Sequence, residues 1–339
     1  MKKRILAMTI AAVITAGFTG CGGGSSETTK GKEDVAVTFK MSDQNAEGTT
    51  VNIWLKDFIS RVEEKTNGTV KIELYPNNTL TSSDLEPCQA GVTDFVQKPP
   101  STATDLDPRM GAFDAPYMYE NTQHIEAAFD INHSEAMASC NEVLKDSGLI
   151  FLGALHTGNR QITLNKPIYT PADLSGVKIR VVSSDLYIRL LESFGAAATP
   201  MAWSEVQTSL LTHVIDGQEN PLFAIKEYNL NELQSYVIMT NHMPTNSGLF
   251  MNYESWNKLS ENQQQAVKDA MVESLHDNNE RIADYNNEVK DWLKEAGMTI
   301  IDVEDGLDIE AFKERAKVVT DSYTEQWGDL VSLIQNVKY

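Results

Sequence analysis

The stretch VAVTFKMSDQNAEGTTVNIWLKDFISRVEEKTNGTVKIELY, residues 35–75, carries the fold logic of the chain. Val35–Met41 alternates apolar and polar residues, the period-2 signature of a half-buried strand. Residues 49–66 then place Ile53, Leu55, Phe58, Ile59 and Val62 at helical spacing, and Asn67-Gly68 supplies a stop. Thr69–Tyr75 alternates again. Strand, helix, strand in this order predicts parallel strands joined by crossover helices.

Further along, Gly148–Leu155, Gln161–Leu164 and Val177–Val182 read as strands and Ser204–His213 as a helix, with no internal repeat. The expected class is α/β throughout. From Ser260 to Ala296 the pattern is helical, with Val267, Met271, Leu275, Ile282, Val289 and Leu293 along one side. Ser260 with Gln263 has the form of a capping box, and Gly297 suits the position after the helix. Two forms stay open: one helix about 55 Å long at roughly 1.5 Å per residue, or two helices broken near Asp277-Asn278-Asn279. The continuous form would brace two lobes at once.

The chain has 339 residues, enough for two domains or one large one with a sizeable core. An apolar fraction of 41% and a charged fraction of 22% are ordinary for a folded soluble protein. Net charge is −20, and residues 1–20 carry Lys2, Lys3 and Arg4 with no acid, leaving −23 on the rest (−20 less those three). Such a surface repels phosphate backbones and excludes nucleic acid as a partner. An anionic ligand must find a local positive site against this field.

Residues 1–20 read as an export signal: a basic start, then an apolar run from Ile5 to Gly17 too short to span a bilayer permanently. Phe18-Thr19-Gly20-Cys21 resembles the bacterial lipobox, with Phe18 where Leu is usual. It predicts cleavage before Cys21 and acylation of that cysteine; a plain secretory peptide is the alternative. Residues 21–34 are small and polar and read as a lipid-anchored flexible linker. Cys88 and Cys140 have no second Cys nearby and no zinc spacing. One disulfide and two separate thiols both remain open.

No nucleophile elbow, phosphate loop, His-Glu-x-x-His or Cys-x-x-Cys occurs, and the histidines at 124, 133, 156, 213, 242 and 276 form no metal-ligand pair. No catalytic residue, cofactor or metal is expected. The informative stretch runs from Thr157 to Pro221: Thr157-Gly158-Asn159-Arg160-Gln161, Leu164-Asn165-Lys166-Pro167-Ile168, Pro171 to Val181, Thr199 to Val206, and Asp216-Gly217-Gln218-Glu219-Asn220-Pro221. This series closely resembles the solute receptors of TRAP transporters, the dicarboxylate-receptor (DctP) type that includes sialic-acid receptors. Lys71–Phe95, Ala115-Pro116-Tyr117, Thr240-Asn241-His242 and Ser255–Val267 resemble further segments of the family in the same order, so the likeness covers the chain after residue 35.

The resemblance implies a periplasmic-binding-protein-like fold of two lobes, each a sheet flanked by helices. Lobe I would comprise 35–157 plus 246–285, and lobe II 158–245 plus 286–339. It implies an exported, non-enzymatic receptor, lipid-anchored at the outer face of the cytoplasmic membrane, that hands a small organic acid to TRAP membrane subunits. An exported sugar-acid enzyme and a ligand-sensing surface lipoprotein are the alternatives. By strand pattern alone Arg180, on one face with Lys178 and Val182, is a solvent-facing arginine. The resemblance instead makes it a two-pronged clamp on the ligand carboxylate, a task suited to a planar guanidinium.

Arg160 matches an assisting arginine, Trp203 an aromatic lining position and Asn246 a polar one. Asn220 matches an amide that bonds the carboxylate. Because Asn220 precedes Pro221, it also reads as a helix N-cap. The loops Ser42-Asp43-Gln44-Asn45 and Val96-Gln97-Lys98-Pro99-Pro100-Ser101 depart from the sialic-acid receptors, which place a glutamate in the second. Gln44, Asn45 and Lys98 are therefore expected to shape the far end of the site for another organic acid. Lys98 would either meet a second carboxylate or stand in solvent.

Overall fold

The computed structural model describes residues 32–339. The export signal, Cys21 and the linker as far as residue 31 lie outside the described residues.

Two sheets organise the chain. The first has five strands in the order β2 (Val70–Tyr75), β1 (Val37–Ser42), β3 (Phe95–Lys98), β10 (Pro244–Asn252), β4 (Leu149–Asn159). The second has six: β11 (Thr299–Ile301), β9 (Tyr236–Ile238), β5 (Gln161–Leu164), β8 (Gly217–Asn220), β6 (Lys178–Val181), β7 (Ala197–Pro200). β1 runs parallel to β2 and β3, and β6 parallel to β7 and β8. Both sheets are nonetheless mixed, because β10 and β5 are antiparallel to their neighbours. The expectation of simple parallel crossovers fails at these two strands for one reason. β4 passes into β5 with only Arg160 between them, and β9 returns through a short turn to β10. A strand that crosses between lobes needs no crossover helix to set its direction.

The opening helix spans Thr50–Lys65 and buries Val51, Trp54, Leu55, Phe58 and Val62. That stripe is one turn-face of an amphipathic helix. Ile53, read from the sequence as part of it, is 42% exposed and lies off the stripe. The long helix is continuous from Glu261 to Glu295. Ser260 and Gln263 form the expected reciprocal cap, and Gly297 takes φ +93° beyond its end. Asp277-Asn278-Asn279 do not break it: Asn278 donates back to the Ser274 carbonyl of the same helix and out to Asp57, and Asn279 accepts from the His156 N–H. The helix meets lobe I through Val267, Met271 and Leu275 and lobe II through Val289 and Leu293.

The C-terminal stretch divides between the lobes. Ile309–Ser322 packs on the helix Asp185–Ser193 of lobe II, whereas Thr324–Trp327 and Leu330–Gln335 pack on lobe I, against Pro108–Asp114 and Glu135–Leu144. Residues 286–339 are thus not all in lobe II: Trp327, Leu330 and Ile334 bury their apolar surface on lobe I. Cys88 and Cys140 are separate buried free thiols, each pushed up to about 12 chiefly by burial.

Candidate ligand-binding site

Three strands of the second sheet present polar side chains at neighbouring ends. β8 needs Gly217 to pass between its partners, since a Cβ there would stand 2.2 Å from the Thr163 carbonyl oxygen. It thereby brings Glu219 and Asn220 beside Arg160, at the head of β5. Arg160 is 4% exposed. Its Nη2 donates to the Glu219 carbonyl at 2.6 Å, to Glu219 Oε1 at 2.8 Å and to Asn220 Oδ1 at 3.1 Å. Nε bonds Glu219 Oε2, and Nη1 reaches Thr245 Oγ1 at 3.3 Å. The Tyr187 ring covers the guanidinium at 5.3 Å.

Burial pushes the Glu219 carboxyl up, but the Arg160 charge and bonds from His242 and Arg160 outweigh it and hold Glu219 below its ordinary range. His242 Nε2 lies 3.3 Å from Glu219 Oε2, and Nδ1 lies 2.7 Å from Thr240 Oγ1. Burial pushes His242 down. The neutral tautomer that satisfies both contacts donates from Nε2 and accepts at Nδ1. Arg160 is therefore already neutralised by this chain.

Arg180, on β6, is the opposite case. It is 5% exposed, so the solvent-facing reading from strand pattern is wrong. Among the described residues its hydrogen bonds go only to the Met201 carbonyl, from Nε at 3.2 Å and Nη2 at 2.9 Å. Trp203 lies against it, with the guanidinium 5.5 Å from the ring centroid. Burial lowers it to about 10, with Glu219 opposing and the Arg160 charge adding. A guanidinium has five N–H donors, and a buried one without a carboxylate is costly. Its environment favours an anion.

The remaining expected residues fall in two groups. Asn220 is the last residue of β8, and Pro221 takes the cap position of the helix Leu222–Glu227, so Asn220 is a strand end and not an N-cap. Its amide donates to Gln218 Oε1. Asn246 is 1% exposed and held on lobe I: Nδ2 donates to the Phe113 carbonyl at 2.8 Å and to Asp114 Oδ1 at 3.2 Å, and Oδ1 faces His156 Nδ1 at 3.2 Å. Asp114 itself is raised to about 6 by burial, against bonds from Ser101 and Asn246 and the charge of Arg160.

Asn45 donates to Asp43 Oδ1 at 2.7 Å and Gln97 Oε1 at 3.2 Å. Gln44 is exposed and accepts from Lys98 at 3.3 Å. Lys98 is bound to Asp84 at 3.1 Å, which neither reading of it anticipated. Asn45, Gln44 and Lys98 form a lobe I cluster with no direct contact to Arg180. Sequence reasoning missed Glu219, His242, Tyr187 and Asp114. The available signal for Glu219 was a lone acid within a strand, three residues after Asp216 and next to Asn220.

A separate cavity of about 480 Å³ opens among Tyr117, Asn121, Asn159, Asn241, Pro244 and Lys313. Neither arginine lines it. Asn159 and Asn241 adjoin Arg160 and His242 in the chain, and His156, which also lines the cavity, lies 3.2 Å from Asn246 Oδ1.

Two α/β lobes joined by two crossing strands and braced by one long helix are the architecture of a two-lobe solute receptor. The chain belongs to the bacterial extracellular solute-binding protein family 7 (DctP), whose model matches residues 41–326. A solute-binding protein of Roseobacter denitrificans is 31% identical over 83% of this chain and 85% of its own. A TRAP periplasmic solute-binding protein of Roseobacter denitrificans, solved with bound L-galactonate, is 30% identical, has a TM-score of 0.76, and the match covers 87% of this chain and 98% of that one. One from Chromohalobacter salexigens, solved with bound D-glucuronate, is 26% identical with a TM-score of 0.79 over 88% of this chain and 100% of that one. The chain is thus an exported receptor of the TRAP transport class, not an enzyme.

Proposed function

We propose that the protein captures a sugar acid with one carboxylate, holds that carboxylate on Arg180 with help from Asn220, and closes its lobes around it for delivery to the TRAP membrane subunits. The observation that carries this reading is a buried guanidinium whose hydrogen-bond partner, among the described residues, is a single carbonyl. Relatives solved with D-glucuronate and L-galactonate support the ligand class. Arg160, matched to Glu219, stiffens the floor of the site and keeps Asn220 in place. Trp203 covers one side of the clamp, and Asn45, Gln97 and Asp43 offer amide and carboxylate groups suited to hydroxyls. Lobe I corresponds to 35–157 plus 246–285 together with the last helices, lobe II to the remainder.

The ion pair of Lys98 with Asp84 favours one carboxylate over two. Lys98→Ala is expected to leave uronate affinity within about twofold, and succinate to give no thermal stabilisation. A large affinity loss in Lys98→Ala, or tight succinate binding, would replace the sugar acid with a dicarboxylate. The general test is a thermal-shift screen over sugar acids, dicarboxylates, keto acids and neutral sugars. A ligand that binds only the folded state raises Tm by mass action. Stabilisation by a neutral sugar alone would discard the proposal.

Acylation of Cys21 would keep the receptor near its transporter, with residues 22–34 as tether. Cys21→Ser is expected to move the protein from the membrane fraction to the soluble one. Retention in the membrane fraction would leave the lipid anchor without support.

A further inference from the structure

The helix Thr50–Lys65 in lobe I begins without the usual help. Its N-cap Thr49 makes no side-chain cap bond, and no acid lies in its first turn. The partner comes from lobe II. Glu227, the last residue of the helix Leu222–Glu227, accepts from Thr50 Oγ1 at 2.6 Å and from the Thr50 N–H at 3.3 Å. A carboxylate at a helix N-terminus meets free N–H groups and the positive end of the helix dipole. The other oxygen, Oε2, is buried with no hydrogen-bond partner among the described residues. Leaving a carboxylate oxygen so placed is unfavourable unless the contact made by the other oxygen compensates.

Glu227 is also joined to the clamp. Its neighbour Tyr228 packs edge-on against Trp203, with centroids 4.8 Å apart and planes at 82°. Trp203 in turn covers Arg180. A contiguous set of packed groups therefore runs from the anion site to the lobe–lobe contact.

We propose that Glu227 and Thr50 form a closure latch: a pair that never touches the ligand but sets how long it is held, because the Glu227 carboxylate caps the lobe I helix only when the lobes are together. This inference rests on the reading of the protein as a receptor that closes around an acid. Glu227 and Thr50 are positioning residues acting through the lobe equilibrium. Opening would return the Glu227 carboxylate to water and leave the helix uncapped. A ligand that bridges the lobes from Arg180 would favour the latched form, and by linkage the latch would slow release.

The test is stopped-flow and calorimetric binding of D-glucuronate, D-galacturonate and L-galactonate to the purified wild type, Glu227→Ala, Thr50→Val, their double variant and Arg180→Ala, with ligand-free Tm measured for each. The latch predicts that Glu227→Ala weakens binding about tenfold, the size of a charge-assisted contact, with the loss in koff and kon nearly unchanged. Thr50→Val should weaken it about threefold, the double variant no more than Glu227→Ala alone, and ligand-free Tm should stay within about two degrees of wild type. Unchanged affinity and koff in Glu227→Ala would overturn the latch. So would a lowered ligand-free Tm with unchanged affinity, since the contact would then be static packing. Arg180→Ala that binds like wild type would overturn the clamp, and a wild type that binds none of the three acids would overturn the sugar-acid reading, on both of which the latch rests. If Arg180→Ala fails to bind while Glu227→Ala behaves as wild type, the clamp stands and the latch alone falls.

Discussion

Arg180→Ala is expected to raise the dissociation constant for the bound acid at least tenfold while leaving the ligand-free protein as stable as wild type or more so. Truncating one member of a buried, hydrogen-bonded charge pair costs about 2–5 kcal/mol, much of it from the other charge left without its partner. In the proposed clamp that other charge belongs to the ligand, so the cost falls on binding. Among the described residues, Arg180 has only the Met201 carbonyl as acceptor. Removing it relieves a buried positive charge 5% exposed to water. Most buried ion-pair residues behave the opposite way, since their loss destabilises the fold. Arg180→Lys should recover part of the affinity, because an ammonium restores charge without the two parallel donors. Calorimetric titration with urea unfolding of the same samples checks both halves. Unchanged affinity in Arg180→Ala would discard the clamp. A large loss of ligand-free stability would make Arg180 a structural residue.

Glu219→Ala is expected to destabilise the fold by about 3–5 kcal/mol, since it leaves Arg160 buried and uncompensated. The Arg160 side chain is 5% exposed and that of Glu219 fully buried, so water cannot rescue the exposed donors. Affinity should fall as well, because Arg160 also donates to Asn220. Glu219→Gln keeps the shape but not the charge and should lie between the two.

The pH dependence has a definite sign. The folded-state pKa of Glu219 is held below its ordinary value of 4.5. Its contribution is therefore present above that value and is lost as pH falls through the lower folded-state value. Asp114 runs the other way. Its folded-state value of about 6 lies above the ordinary value of 3.8, so its contribution is complete below 3.8 and is lost as pH rises to about 6. Urea unfolding of wild type and Glu219→Gln below pH 4.5 should show the wild-type advantage shrinking with acid. A constant difference would place the carboxylate's charge outside the stability of the fold.

Local pattern was enough for the elements. Alternation marked β1 and β2, and the capping box and the glycine at 297 marked both ends of the long helix. These features depend on residues within a few positions of one another, so the chain carries them openly. Motif order was enough for the family, and the Arg160, Arg180 and Asn220 positions came with it. The mixed direction of the sheets was not legible, because strand direction depends on where the chain crosses between lobes. The start of the helix after Asn220 was misread by one residue, since Asn-Pro suits both a cap and a strand end.

Charge balance belonged wholly to the tertiary structure. Arg160 and Arg180 look alike in the sequence, each a basic residue at a strand. Folding gives Arg160 the Glu219 carboxylate, 59 positions away, and among the described residues gives Arg180 only the Met201 carbonyl. Lys98 receives Asp84 in the same way. Whether a buried cation is satisfied depends on partners distant in sequence and close in space. The sequence by itself thus determined the class of protein and its elements. Only the packed structure showed which of the two arginines is paired within the chain, because electrostatic pairing acts over a few ångströms and is indifferent to separation along the chain.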